Sequence, residues 1–135
     1  MATSTLLSNP VHTVNSVDLT DQTTSLEPKI KATALTATAF GDSSVKFVAG
    51  LFDNEVVVEY YWSYAATETY ATLNALLGTT FNITWKPSSA ATSATNPLAT
   101  LTGCYLEELG PVFKMGELAT CTVTYKGGVY SVATV

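Results

Sequence analysis

A chain of 135 residues is long enough to bury a real core in one domain, and nothing in its length calls for a second. Its six basic residues are all lysine against eleven acids, and a net charge of −5 without arginine argues against base reading and tight phosphate binding, where the guanidinium fork dominates. With 47% hydrophobic and only 13% charged residues, a monomer would carry unusually little charge to keep it dissolved, so the composition favours assembly.

Residues 1–10 are rich in Ala, Thr, Ser and Asn with only Leu6 and Leu7 to bury, which predicts an arm that orders on a partner. Residues 11–19 alternate weakly and predict a strand ending in the turn-like stretch 18–24, so that 1–20 reads as a partly stranded, inter-subunit arm and 21–135 as the domain. Residues 29–40 have period two in small side chains, 41–44 break the pattern, and 45–51 resume it. The Asp53-Asn54 pair reads as a tight turn, making 45–64 a hairpin. Its second strand puts Val56, Val58, Tyr60, Trp62 and Tyr64 on one face and Glu55, Val57, Glu59, Tyr61 and Ser63 on the other.

A helix is expected over 66–77, with Ala66, Tyr70, Leu73 and Leu77 as its apolar stripe, Leu76 widening it, Thr67 as N-cap, Glu68 in the first turn and Gly78 at the stop. A strand follows to Trp85, then a long small-residue loop over 86–97. Segments 98–109 and 118–125 predict a second hairpin, and 129–135 a last strand after Gly127-Gly128. Centring that hairpin near Val112 and Phe113 sets Cys104 opposite Cys121. A cross-strand disulfide is conceivable there, and two reduced core thiols are favoured. The sum is an all-β sandwich or open barrel of seven to nine strands with one short flanking helix.

Two cysteines and one histidine have no metal-type spacing, and neither a metal nor another cofactor is expected. The opening residues lack a basic and an apolar signal region, and no run is long enough to span a bilayer, so folding in a reducing cytoplasm without membrane binding is expected. His12 has no recognisable acid or nucleophile beside it and reads as an ordinary strand or arm residue; no enzyme is expected. Read as strand neighbours, Glu107 and Glu108 point to opposite faces and cannot flank one bond. Glu55 and Glu59 share a face, either a plain solvated face or an electronegative surface with a purpose.

From about Thr33 to the C-terminus the order of elements resembles the major tail tube proteins of long-tailed, siphovirus-like bacteriophages. The resemblance rests on AGL before the Asp-containing turn at 49–53, LNALLGTT at the helix end, the Asn96–Gly103 stretch and LGPV at 109–112. It implies a β-sandwich with a flanking helix, assembled as hexameric rings that stack into the virion's tail tube and form the channel for genome ejection. It also implies assembly in the host cytoplasm, contacts with tape measure, distal tail and terminator proteins, and transient passage of DNA. An acidic lumen fits that role, since a basic one would hold phosphates; Glu55 and Glu59, with Glu107 or Glu108, are the expected lumen-facing acids. The alternatives are a head decoration or neck ring protein, or a glycan-binding module using Tyr60, Tyr61, Trp62, Tyr64 or Trp85.

Overall fold

The computed structural model describes Leu7 and residues 9–135; the part of the expected arm formed by residues 1–6 and 8 lies outside the described residues. In chain order the elements are β1 (Val11–Val14), β2 (Val17–Asp18), β3 (Thr23–Lys29), β4 (Ala32–Thr36), β5 (Phe47–Phe52), β6 (Glu55–Tyr61), α1 (Thr69–Leu76), β7 (Thr80–Lys86), β8 (Leu98–Leu106), β9 (Pro111–Val112), β10 (Thr120–Lys126) and β11 (Val129–Ala133). This is the expected all-β architecture with one short helix. Strands β2-β1-β7-β8-β10-β6-β3 form a continuous antiparallel path, with β11 alongside β8 and β9 alongside β10. The path folds over on itself, because His12 on β1 reaches Tyr60 on β6 across the core with Nε2 to OH at 2.6 Å.

Alternation builds that core. Val56, Val58 and Tyr60 of β6, Cys121, Val123 and Tyr125 of β10, and Leu101, Cys104 and Leu106 of β8 all point inward. Phe81 of β7 meets Tyr125 edge to face at 5.7 Å. Residues 11–20, grouped with the arm by their composition, enter the same interior: β1 pairs with β7, and Val14 and Leu19 are fully buried. The single strand expected over 11–19 is broken at Asn15 and Ser16, whose φ of 49° and 68° suit a type I′ turn, so β1 and β2 form a small hairpin.

The structure corrects the 45–64 hairpin. The partner of β5 is β4, and β6 pairs with β3 and β10. Lys29 lies opposite Glu55 and Ala32 opposite Phe52, so β3-β4 and β5-β6 are two arms of one long hairpin. Its root lies in the main sheet and its tip in the 37–46 turn. Asp53-Asn54 is a bend within this ladder and not a turn: the Asp53 N–H donates to Lys31 O at 2.7 Å, and Asn54 Nδ2 donates to Gly128 O at 3.1 Å. Every residue of β4 is exposed, and all of β5 except Gly50, so the outer half of the hairpin stands away from the domain.

The helix is shorter and rotated from its expected face. Thr69, Thr72 and Leu73 are buried with Leu76 packed beside them, while Ala66, Tyr70 and Leu77 are exposed. Thr67 is not the N-cap: its φ is 62°, its hydroxyl turns back to Ala66 O, and Glu68 holds the cap position without a side-chain cap bond. The Thr69 hydroxyl decides the rotation, since it accepts the Ser63 N–H at 2.7 Å and can donate to Tyr61 O at 3.2 Å, which ties the first turn to the end of β6. At the other end the Gly78 N–H donates to Leu106 O at 2.8 Å.

The second hairpin also moves. Tyr125 pairs with Leu106 and Cys121 with Pro111, which centres the turn near Met115-Gly116, about three residues beyond the expected point. Cys104 therefore faces Phe81 on β7 and not Cys121; both thiols are free and buried. The long 86–97 loop is pinned from within by Asn96. Its Oδ1 accepts the Ser88 N–H at 3.0 Å and its Nδ2 donates to Ala90 O at 2.9 Å.

After β10, Gly127 and Gly128 swing the chain onto β8. Gly128 has a φ of 91°, and a Cβ there would sit 2.8 Å from Thr102 O and 3.1 Å from Cys104 N. Gly128→Ala is expected to destabilise the fold by about 2–5 kcal/mol, combining left-handed strain with overpacking against backbone that cannot step aside. A urea unfolding midpoint unchanged from wild type would refute this.

Candidate functional site: an acidic outer sheet face

The outward faces of β3, β6 and β10 form one surface, and register fixes its rows. Glu55 lies between Lys29 and Lys126, Val57 between Glu27 and Thr124, and Glu59 between Ser25 and Thr122. Beside β10 the chain leaves β8 at Leu106, so Glu107 and Glu108 are not strand neighbours on opposite faces. Both line one shallow groove of about 250 Å³ with Gly110, Thr122, Thr124 and Lys126. The structure thus brings all four sequence-selected carboxylates to one side of the molecule and adds Glu27. Five carboxylates against Lys29 and Lys126 leave the surface negative.

Lys126 is its electrostatic hinge. Its Nζ donates to Glu107 Oε2 at 2.5 Å. That hydrogen bond raises the lysine's pKa, and the charges of Glu107, Glu55 and Glu108 act in the same sense. The same contact holds the Glu107 carboxyl below its ordinary range. Both side chains are more than half exposed, so solvent screens the pair and it adds little to stability. Its effect is local, keeping one lysine engaged with carboxylates instead of extended into solvent.

His12, read as an ordinary residue, is the functional-looking side chain whose place the sequence did not disclose. Thr84 O can only accept, so the Nδ1 at 2.9 Å from it carries the proton; Nε2 then accepts from Tyr60 OH, which in turn accepts from Tyr125 OH at 2.7 Å. Burial pulls the His12 pKa down from 6.5 to about 4, against the Thr84 contact and the charge of Asp18, which raise it. Its position two residues before Val14 on the same strand face was the only available signal. With both ring nitrogens occupied inside the core, it cannot serve a substrate as a base. Among the described residues no cluster of three or more His, Cys, Asp or Glu is placed to hold a metal, and no helix is long and apolar enough to cross a membrane.

The aromatics proposed for a glycan platform are dispersed. Tyr60 is fully buried, Trp85 stacks on Tyr130 at 6.2 Å, and Trp62 is half-buried against Tyr64 and Tyr70. Trp62 and Tyr64 touch each other, but Tyr60 lies in the core and Trp85 packs with Tyr130, so the five do not form one platform.

No protein-family model matches the chain, and no curated protein does either. Solved structures do match, and they define the fold as that of tail-tube-like assemblies. A chain of the sheath/tube terminator of an extracellular contractile injection system, PVC in its extended state, superposes with a TM-score of 0.73 at 11% identity, covering 98% of each chain. The tube-terminating cap of the anti-feeding prophage gives 0.72 at 13% identity, covering 100% of this chain and 95% of that one. A tail chain of an empty gene transfer agent particle, refined with C6 symmetry, gives 0.64 at 8% identity over 84% and 82%.

Proposed function

We propose that this chain is a structural subunit of a phage-like tail tube, whose copies close into hexameric rings that stack around a channel for DNA. The observation that carries this reading is the end-to-end superposition on tube-terminating proteins, which spans both chains almost completely. Three features of the molecule support it. Strands β3 and β11 each pair on one side only among the described residues. The β11 edge, Val129–Ala133, has no proline, lysine or bulge to deter another strand. The outer half of the long hairpin exposes Leu35, Phe47, Leu51 and Phe52, more apolar surface than a free monomer keeps in water.

In this reading the outer face of β3, β6 and β10 lines the channel. Glu55, Glu59, Glu107 and Glu108, with Glu27, make its wall negative, and the threonines of β10 make it neutral between charges, so that a polyanion slides without being gripped. The protein acts as scaffold and not as enzyme, belongs to the virion tail, and assembles in the host cytoplasm with tape measure, distal tail and terminator proteins.

A second reading has its own support: the superposed proteins include a terminator and a cap, so the chain would close the tube's end instead of repeating along it. Negative-stain micrographs of the purified protein separate the two. Long hollow filaments of uniform width are expected for the tube subunit and discrete rings for a terminator. A compact monomer at high concentration would remove both readings.

A further inference from the structure

Strand β6 measures the molecule from end to end. Beyond its Glu55 end the chain continues into the projecting hairpin; beyond its Tyr61 end lies the 113–119 loop, because Thr120 pairs with Tyr61 and the Trp62 N–H donates to Ala119 O at 2.8 Å. A seven-residue strand at about 3.4 Å per residue keeps the two roughly 20 Å apart before the hairpin's own length is added. The structure is therefore bipolar, and both poles are apolar. Phe40 at the hairpin tip is 109% exposed, with Val45 and Phe47 beside it. At the other pole Met115 is 104% exposed, between Phe113 and Leu118.

Charge is balanced at each pole. The tip carries Asp42 and Lys46, paired at 2.9 Å, and the loop carries Lys114 and Glu117. Bringing unlike poles together thus opposes no net charge, and each acid can face the other pole's lysine. The acidic sheet face between the poles has no such balance and would repel its own copy. A contact of tip with tip would cover one pole and leave the other in water. A contact of tip with loop covers both and leaves each new copy with the same two ends, the open heterologous arrangement that propagates.

We infer that the 37–46 tip of one copy seats on the 113–119 loop of the next, Phe40 against Met115, and that this head-to-tail joint repeats along the axis. The inference rests on the tube reading and adds its axial contact.

The test uses the full chain with Phe40→Glu and Met115→Lys, prepared separately. Both side chains are fully exposed, so each variant is expected to keep wild-type circular dichroism and melting temperature. Each alone should lose filaments, with rings remaining. An equal mixture should restore them, because unaltered joints alternate with Glu-to-Lys joints only if the two positions meet. Wild-type filament lengths in either variant, or loss in both without recovery on mixing, overturn the joint while leaving the tube reading in place. Wild-type protein that forms no filament overturns both.

Discussion

Lowering the pH from 7 to 4 is expected to cost the fold about 3 kcal/mol through His12 alone. The sign follows from its position in the core. The folded imidazole has its pKa pulled down to about 4 by burial, while in the unfolded chain it takes up a proton near 6.5. Between those values the unfolded state holds the extra proton, so stability is fully present above pH 6.5, declines as pH falls, and the loss is complete below about 4. The gap between 6.5 and about 4, at about 1.4 kcal/mol per pH unit, sets a limit of about 3.5 kcal/mol, of which about 3 is lost by pH 4, where the folded imidazole is half protonated. Urea titrations at pH 4 and 7 would measure it. His12→Asn should lower stability at neutral pH, since Tyr60 OH loses its buried acceptor, and should flatten the slope between pH 4 and 6.5. A slope that survives the substitution would show that groups other than His12 set the acid sensitivity.

The second large effect is expected from reversing the charge of the sheet face. Glu59→Lys with Glu108→Lys moves the chain from −5 to −1. It also avoids setting a third lysine between Lys29 and Lys126, as Glu55→Lys would. Wild-type filaments should leave duplex DNA free at moderate salt. Filaments of the double variant should retain it, with retention falling steeply as salt rises, each neutralised phosphate adding about 0.9 to the logarithmic slope. If this face lines the channel, the retained DNA is protected from nuclease. Retained DNA that nuclease digests fully would put these carboxylates on the tube's outside, and no added retention would deny the face any part in DNA passage.

Local pattern was most informative where alternation was strong. In β6 every residue from Glu55 to Tyr61 points as its position dictates, because a strand has only two faces and one hydrophobic set. That parity made Glu55 and Glu59 legible as a pair on the outward face. Glu107 and Glu108 were misread because the alternation rule was extended past Leu106, where the strand ends. Lys126, which engages Glu107, and Glu27, which completes the face, lie far away in sequence and join it only through register. His12 was illegible for a related reason: its partners Thr84, Tyr60 and Tyr125 come from three other strands, and no local pattern encodes a bond across a core.

The chain's own pattern determined the strand-rich class, the existence of one helix, the small-residue loop before Asn96 and the parity of the β6 faces, since each follows from the 2.0 or 3.6 periodicity of neighbouring side chains. Pairing belonged to the tertiary structure. It gave β5 to β4 instead of β6, drew β1 into the core through His12, moved the Cys121 partner from Cys104 to Pro111 and turned the helix onto Thr69, Thr72 and Leu73. Strand partners are chosen by whichever non-local contacts close the interior with its polar groups satisfied, and that choice is a property of the whole chain at once.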